Sequence, residues 1–172
     1  MKKSILITML ITYVISFSAF SQNNWQGTYS PKGKCSISFP ATPTAMPNPQ
    51  TGSEMYSCLF DNSIFLFTVE NSGEMVRDEG EPDIYDESLQ KSMYNGLLER
   101  YNGHFISDAN IYYKGKKAVD FYLSIEIPGT QIKYVKGRYI IENKIFYVAF
   151  YFYSSFDEIN FNRFVSSLEF NK

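Results

Sequence analysis

The chain is poor in the residues that most chemistry needs. Among 172 residues there is one histidine, His104, one tryptophan, Trp25, and two cysteines, Cys35 and Cys58. A His-based nucleophile relay would have to use His104, which follows Asn102-Gly103. That dipeptide reads as a helix stop, where a histidine meets free carbonyls and solvent. Three candidate ligands scattered over 35, 58 and 104 do not make the short spacing of a zinc site. The motifs G-x-S-x-G, G-x-G-x-x-G, G-x-x-x-x-G-K-[ST] and H-E-x-x-H are all missing. The formal net charge of −2 gives no electrostatic footprint for nucleic acid or anionic lipid. The expectation is no cofactor, no metal and no nucleic-acid partner. Carboxylate chemistry stays open, because an acid pair for glycoside hydrolysis is defined by a separation of roughly 5–10 Å in the fold.

Long apolar runs are scarce too. One opens the chain, MKKSILITMLITYVISFSAFS. Lys2 and Lys3 precede an apolar run from Ile5 to Phe17, and Ser21 and Ala19 occupy the −1 and −3 positions of a cut before Gln22. This layout predicts a cleaved secretory signal over residues 1–21. The run is shorter than the roughly 20 residues that cross a bilayer. The other strongly apolar run, Ile145–Tyr153, is strand length. The expected product is an exported chain from Gln22, periplasmic or secreted and not membrane-spanning, with a lead-in over 22–33 and one domain over 34–172.

Export permits a disulfide between Cys35 and Cys58. Each lies in a strand-like run, KCSISF and MYSCLF, and the two runs could be neighbours in one sheet. A bridge would add about 3 kcal/mol on the loop-entropy estimate. Two buried free thiols acting as small apolar residues fit the same pattern.

What is abundant is aromatic: 14 Tyr and 15 Phe. Alternation predicts strands at Cys35–Phe39, Glu54–Phe60, Ser63–Asn71, His104–Tyr113, Lys117–Ile127, Thr130–Glu142 and Ile145–Tyr153. Asp61-Asn62 and Asn143-Lys144 read as tight hairpins. A helix is expected over Ile84–Tyr101, with Tyr85, Leu89, Met93, Leu97 and Tyr101 facing the core. A second is expected over Phe156–Ser166, opened by a Ser155–Glu158 capping box and covering the sheet with Ile159, Phe164 and Val165. Residues 40–53 form a Pro-rich loop, and residues 72–83 an acidic one. The carboxylates Asp78, Glu79, Glu81, Asp83, Asp86 and Glu87 are dense enough to suggest Ca²⁺, but they lack EF-hand order and read more simply as a solvated loop and helix start. Hairpin-linked strands with two helices predict an α+β fold with a mainly antiparallel sheet.

Two stretches resemble a known family. The run "YSPKGKCSISFPATPT", carried by Tyr29, Ile37, Phe39, Pro40 and Pro43, resembles the opening of PsbP-like domains. "GRYIIENKIFYVAFYF" with "RFVSSLEF", carried by Arg138, Tyr147, Phe164, Ser167 and Phe170, resembles their last hairpin, helix and closing segment. The resemblance spans residues 27–170 and is one of pattern. It implies a curved antiparallel sheet of 6–8 strands flanked by two helices, an α/β/α sandwich, in domains that are mostly non-catalytic and act as binding or assembly partners. It assigns no functional residue.

The leading expectation is therefore a non-enzymatic exported domain that works by protein–protein or envelope contact. An alternative is a small-molecule or lipid carrier with an aromatic-lined pocket between sheet and helix. A third is a carboxylate-based hydrolase. Tyr112, Tyr113, Tyr122, Tyr134, Tyr139, Tyr151 and Tyr153 could line one exposed face as a binding surface. They read more simply as large β-formers filling a twisted sheet and its helix contacts.

Overall fold

The computed structural model describes residues 25–46, 52–71 and 83–171. The expected signal over 1–21, part of the Pro-rich loop and the acids at 78, 79 and 81 lie outside the described residues.

The long hairpins form one seven-stranded antiparallel sheet. Its strands are β3 (Thr44–Ala45), β4 (Glu54–Phe60), β5 (Ser63–Asn71), β6 (His104–Tyr113), β7 (Lys116–Ser124), β8 (Tyr134–Glu142) and β9 (Ile145–Tyr153). Their spatial order is β3-β4-β5-β9-β8-β7-β6. The tight turns are where the dipeptides put them. Asp61, Asn62, Asn143 and Lys144 all take positive φ, between 50° and 61°, as the twist of two-residue hairpins requires.

A second, three-stranded sheet combines β1 (Gln26–Ser30), β2 (Cys35–Phe39) and β10 (Glu169–Phe170) in the order β1-β2-β10. β1 lies within the lead-in expected over 22–33. QGTYS carries no apolar alternation, and its strand form comes from pairing with β2 over its full length.

Two helices cover the large sheet, one on each face. Helix α1 (Glu87–Arg100) is capped by Asp86, whose carboxylate accepts from Ser88 N and Leu89 N. Its buried line is Gln90 and Tyr94, one residue round from the expected apolar stripe. Leu89, Met93 and Leu97 only flank that line. Helix α2 (Glu158–Ser166) is capped by Asp157, not by Ser155, and buries Phe161, Phe164 and Val165. Ile159, expected in the core, is 80% exposed.

Each face has its own core. On the α2 face Phe65, Phe67, Val69, Tyr147, Ala149 and Tyr151 pack against Phe164, Val165 and the inner residues of β2. On the α1 face Val119, Phe121, Leu123, Val135, Tyr139, Val148 and Phe152 pack under Ile84 and Tyr94. β5 and β9 are apolar on both faces because both are covered, as read from the sequence.

Candidate functional site

Cross-strand register sorts the tyrosines between the faces. Tyr134 pairs with Ser124 on one side and Tyr153 on the other, while Lys136 pairs with Tyr122 and Tyr151. These rows lie on the α2 face. Their rings run continuously, with centroids 5.7 Å apart for Tyr122–Tyr134, 5.6 Å for Tyr134–Tyr153 and 5.0 Å for the stacked Tyr151–Tyr153 pair. Phe156 and Phe161 extend the ladder, and the Lys136 ammonium sits over both rings at 4.5 and 5.1 Å. Burial pushes the Tyr153 phenol upward, and the hydroxyl of Tyr122 adds to the shift.

The ladder is not the exposed tyrosine face considered from sequence. Tyr139, Tyr151 and Tyr153 are buried, and Tyr122 and Tyr134 are half-buried. Tyr139 lies on the opposite face, with Tyr94. Tyr112 is 73% exposed at the sheet edge, edge-on to Tyr85. Tyr113 donates to the carbonyls of Ser166 and Leu168 at 2.8 Å, fastening the end of α2 to the sheet. Beside it Arg138 holds Asp120 in a two-pronged pair, Nε to Oδ1 at 2.6 Å and Nη2 to Oδ2 at 2.9 Å, with its guanidinium 4.8 Å over the Tyr113 ring.

Both cysteines are buried, and their thiols are free in the structure. The expectation that their strands are neighbours fails, because β2 belongs to the small sheet and β4 to the large one. Cys35 lies against Ser30, whose Oγ donates to Glu54 Oε2 at 2.5 Å. Burial pushes the Cys35 thiol up to about 12 and raises Cys58 as well, so neither is a ready nucleophile. His104 is exposed at the start of β6. Among the described residues no three His, Cys, Asp or Glu side chains converge on a common point. Asp83 pairs with Lys117 at 2.9 Å, Asp86 caps α1, and Glu87 pairs with Lys91 at 3.6 Å, so these acids are engaged separately.

One concavity that the sequence did not reveal brings aromatic rings and polar groups together. It is a cleft of about 600 Å³ between α1 and β6, lined by Tyr85, Gln90, Tyr94, Leu98, Phe105 and Asp108, among others. The Tyr94 hydroxyl donates to Asp108 Oδ2 at 2.9 Å. Gln90 Nε2 donates to the Ile84 carbonyl at 3.1 Å and to Asn110 Oδ1 at 2.9 Å. Burial raises the Tyr94 phenol, and Tyr139 and the Asp108 carboxylate push the same way. A signal did exist in the sequence. Asp108 and Asn110 alternate on β6, and Gln90 and Tyr94 stand four apart on α1.

β6 also ends the sheet. Its residues are exposed without a break from His104 to Asn110, and among the described residues no strand pairs with its outer edge. Phe105, Ile106 and Tyr112 are 48%, 44% and 73% exposed along it. Beside this edge, the two-residue β3 at the other end is small.

The chain matches the solution structure of cyanobacterial PsbP (CyanoP) from Synechocystis sp. PCC 6803 with a TM-score of 0.57, covering 87% of this chain and 94% of that one. The fold is PsbP-like. At 8% identity the likeness speaks to fold alone. No protein-family model matches the chain, and no curated protein matches it. The PsbP-like sheet and its two helices agree with the α+β architecture expected from sequence, and among the described residues no helix is long and apolar enough to cross a membrane.

Proposed function

We propose that this chain is an exported, non-catalytic binding domain that docks a partner protein along the outer edge of β6. The observation that carries the reading is that edge: ten residues long, exposed over most of its length, with Ile106 and Tyr112 displayed. The pairing of β6 with β7 shifts register between Phe105 and Ser107, and beyond that irregularity the open backbone is a template for another strand. A partner strand added there would gain main-chain hydrogen bonds for affinity and side-chain contacts for specificity. Export is supported by the layout of residues 1–21.

The test uses the chain from Gln22. Wild type and an Ile106→Lys/Tyr112→Lys variant are each used to capture partners from an envelope fraction, and the β6 amides are followed by hydrogen exchange in the complex. A partner held by wild type and lost by the variant, with new protection on β6, is the expected result. The same partner held equally by both proteins removes the edge from the account. N-terminal sequencing of the exported protein, expected to begin at Gln22, checks the compartment separately.

A second reading, a small-molecule carrier, is favoured by the α1–β6 cleft, where aromatic walls and hydrogen-bonded polar groups meet between helix and sheet.

A further inference from the structure

The chemistry of the α1–β6 cleft restricts what it can hold. Its innermost donors are already engaged. Both amide hydrogens of Gln90 have acceptors, Ile84 O and Asn110 Oδ1, and the Tyr94 hydroxyl is given to Asp108. Gln90 and Tyr94 are 7% and 4% exposed, so the helix side of this arrangement is packed, while its β6 side, Asp108 and Asn110, is open to solvent. Acceptor capacity remains on Asp108, since an ionised carboxylate offers about four lone-pair positions.

Charge points the same way. The cleft's titratable charges are Glu87, Lys91 and Asp108. Lys91 is paired with Glu87 one helical turn away, while Asp108 enters no ion pair among the described residues. The carboxylate therefore stands without a cation beside the rings of Tyr94 and Phe105, whose centroids are 5.6 Å apart. A carboxylate with aromatic faces next to it suits a positive group, which gains an ion pair from one and a ring-quadrupole attraction from the other. An anion would meet Asp108 head-on, and a neutral acceptor would find the inner donors taken.

We infer that the cleft between α1 and β6 binds an organic ammonium with an apolar body, its charged head on Asp108 and its body along Phe105 and Leu98. This rests on the carrier reading of the cleft and is independent of partner docking, because it uses the α1 face of β6 and not its open edge. Ile106 does not line the cleft.

The experiment titrates the isotope-labelled chain from Gln22 with phenethylammonium chloride and follows backbone amide shifts. Phenethyl alcohol and 3-phenylpropionate serve as neutral and anionic counterparts of similar size. Saturable shifts at Gln90, Tyr94 and Asp108 are expected with the ammonium, at least tenfold weaker binding with the alcohol, and none with the carboxylate. Asp108→Asn keeps an acceptor for Tyr94 and is expected to weaken ammonium binding tenfold or more. Asn95→Arg, at the exposed rim, adds a positive charge without touching the Tyr94–Asp108 bond and is expected to do the same. Ile106→Lys is expected to leave binding unchanged, which separates this site from the edge. Equal binding of alcohol and ammonium, shifts centred elsewhere, no saturable shift at all, or wild-type affinity in Asn95→Arg would each overturn the inference.

Discussion

Tyr94 and Tyr139 face each other under α1 with ring centroids 6.4 Å apart, yet their hydroxyls have opposite fates. Tyr94 donates to Asp108 Oδ2 at 2.9 Å. Tyr139, fully buried, lies near enough to raise the Tyr94 phenol but has no partner in hydrogen-bond geometry among the described residues. Removing the two hydroxyls should therefore have opposite consequences. Tyr94→Phe deletes a bond to a charged acceptor and should lower stability by about 1.5–3 kcal/mol. Tyr139→Phe deletes a buried hydroxyl that gains nothing in return and should be neutral or stabilising by up to about 1 kcal/mol. Urea unfolding of both single variants checks the contrast. Equal losses in the two would mean that Tyr139 has a partner, such as a buried water.

The thiols make a second prediction. Cys35 is wholly buried and its thiol is pushed up to about 12, and Cys58 is 7% exposed. In the folded protein near neutral pH a disulfide-exchange reagent should find almost no thiolate to attack. After unfolding without reductant it should find two thiols per chain. Zero thiols in the unfolded protein would show that export closes a bridge, which would require β2 and β4 to approach across the two sheets.

Gly137 is expected to be intolerant of any side chain. It sits on β8 between Phe121 of β7 and Phe150 of β9, whose rings meet at 5.7 Å in front of it. A Cβ there would lie 2.4 Å from Phe121 Cζ and 2.6 Å from the Ala149 carbonyl. The carbonyl is sheet backbone and cannot move aside. Gly137→Ala should cost about 1–3 kcal/mol by overpacking. Thermal unfolding gives the loss directly, and Phe121→Leu in the same chain should recover part of it by freeing the space the ring holds.

How far the sequence reveals such features depends on what generates them. β4, β5 and β9 occur with the bounds expected, because apolar alternation and a positive-φ turn dipeptide are local properties. β1 is not local: its strand form is a consequence of β2 lying beside it. The α1 stripe shifted for a related reason. Counting apolar side chains passes over Gln90, which is buried because its amide has two acceptors waiting, one of them on β6. The tyrosines failed as one surface because alternation assigns sides within a strand, whereas the side that is covered depends on where α1 and α2 dock. Asp108 and Tyr94 are 14 positions apart in sequence, so the alternation on β6 and the four-residue spacing on α1 become one site only once helix and strand pack together.

Acid and base should act on the start of α1 through two carboxylates. Asp83 is held below its usual range by its hydrogen bond from Lys117, helped by the Tyr85 amide, and Asp86 by its bonds from Ser88 and Leu89. A carboxyl lowered in the folded state stabilises the fold above its unfolded value, about 3.9, and loses that contribution as pH falls through the lower folded value. Lys117 is raised by Asp83, so its share is complete below about 10.4 and disappears as pH rises through the higher folded value. Stability measured by urea unfolding should thus fall at both extremes. Asp83→Asn should flatten part of both limbs, since it removes the partner that shifts Lys117. Asp86→Asn should flatten only the acid limb while keeping a capping oxygen. Both sites are exposed, so 1 M salt should shrink the Asp83–Lys117 contribution and leave most of the Asp86 cap, whose donors, the Ser88 hydroxyl and the Ser88 and Leu89 amides, are uncharged. An acid limb unchanged in both variants would move the origin of acid sensitivity away from the start of α1.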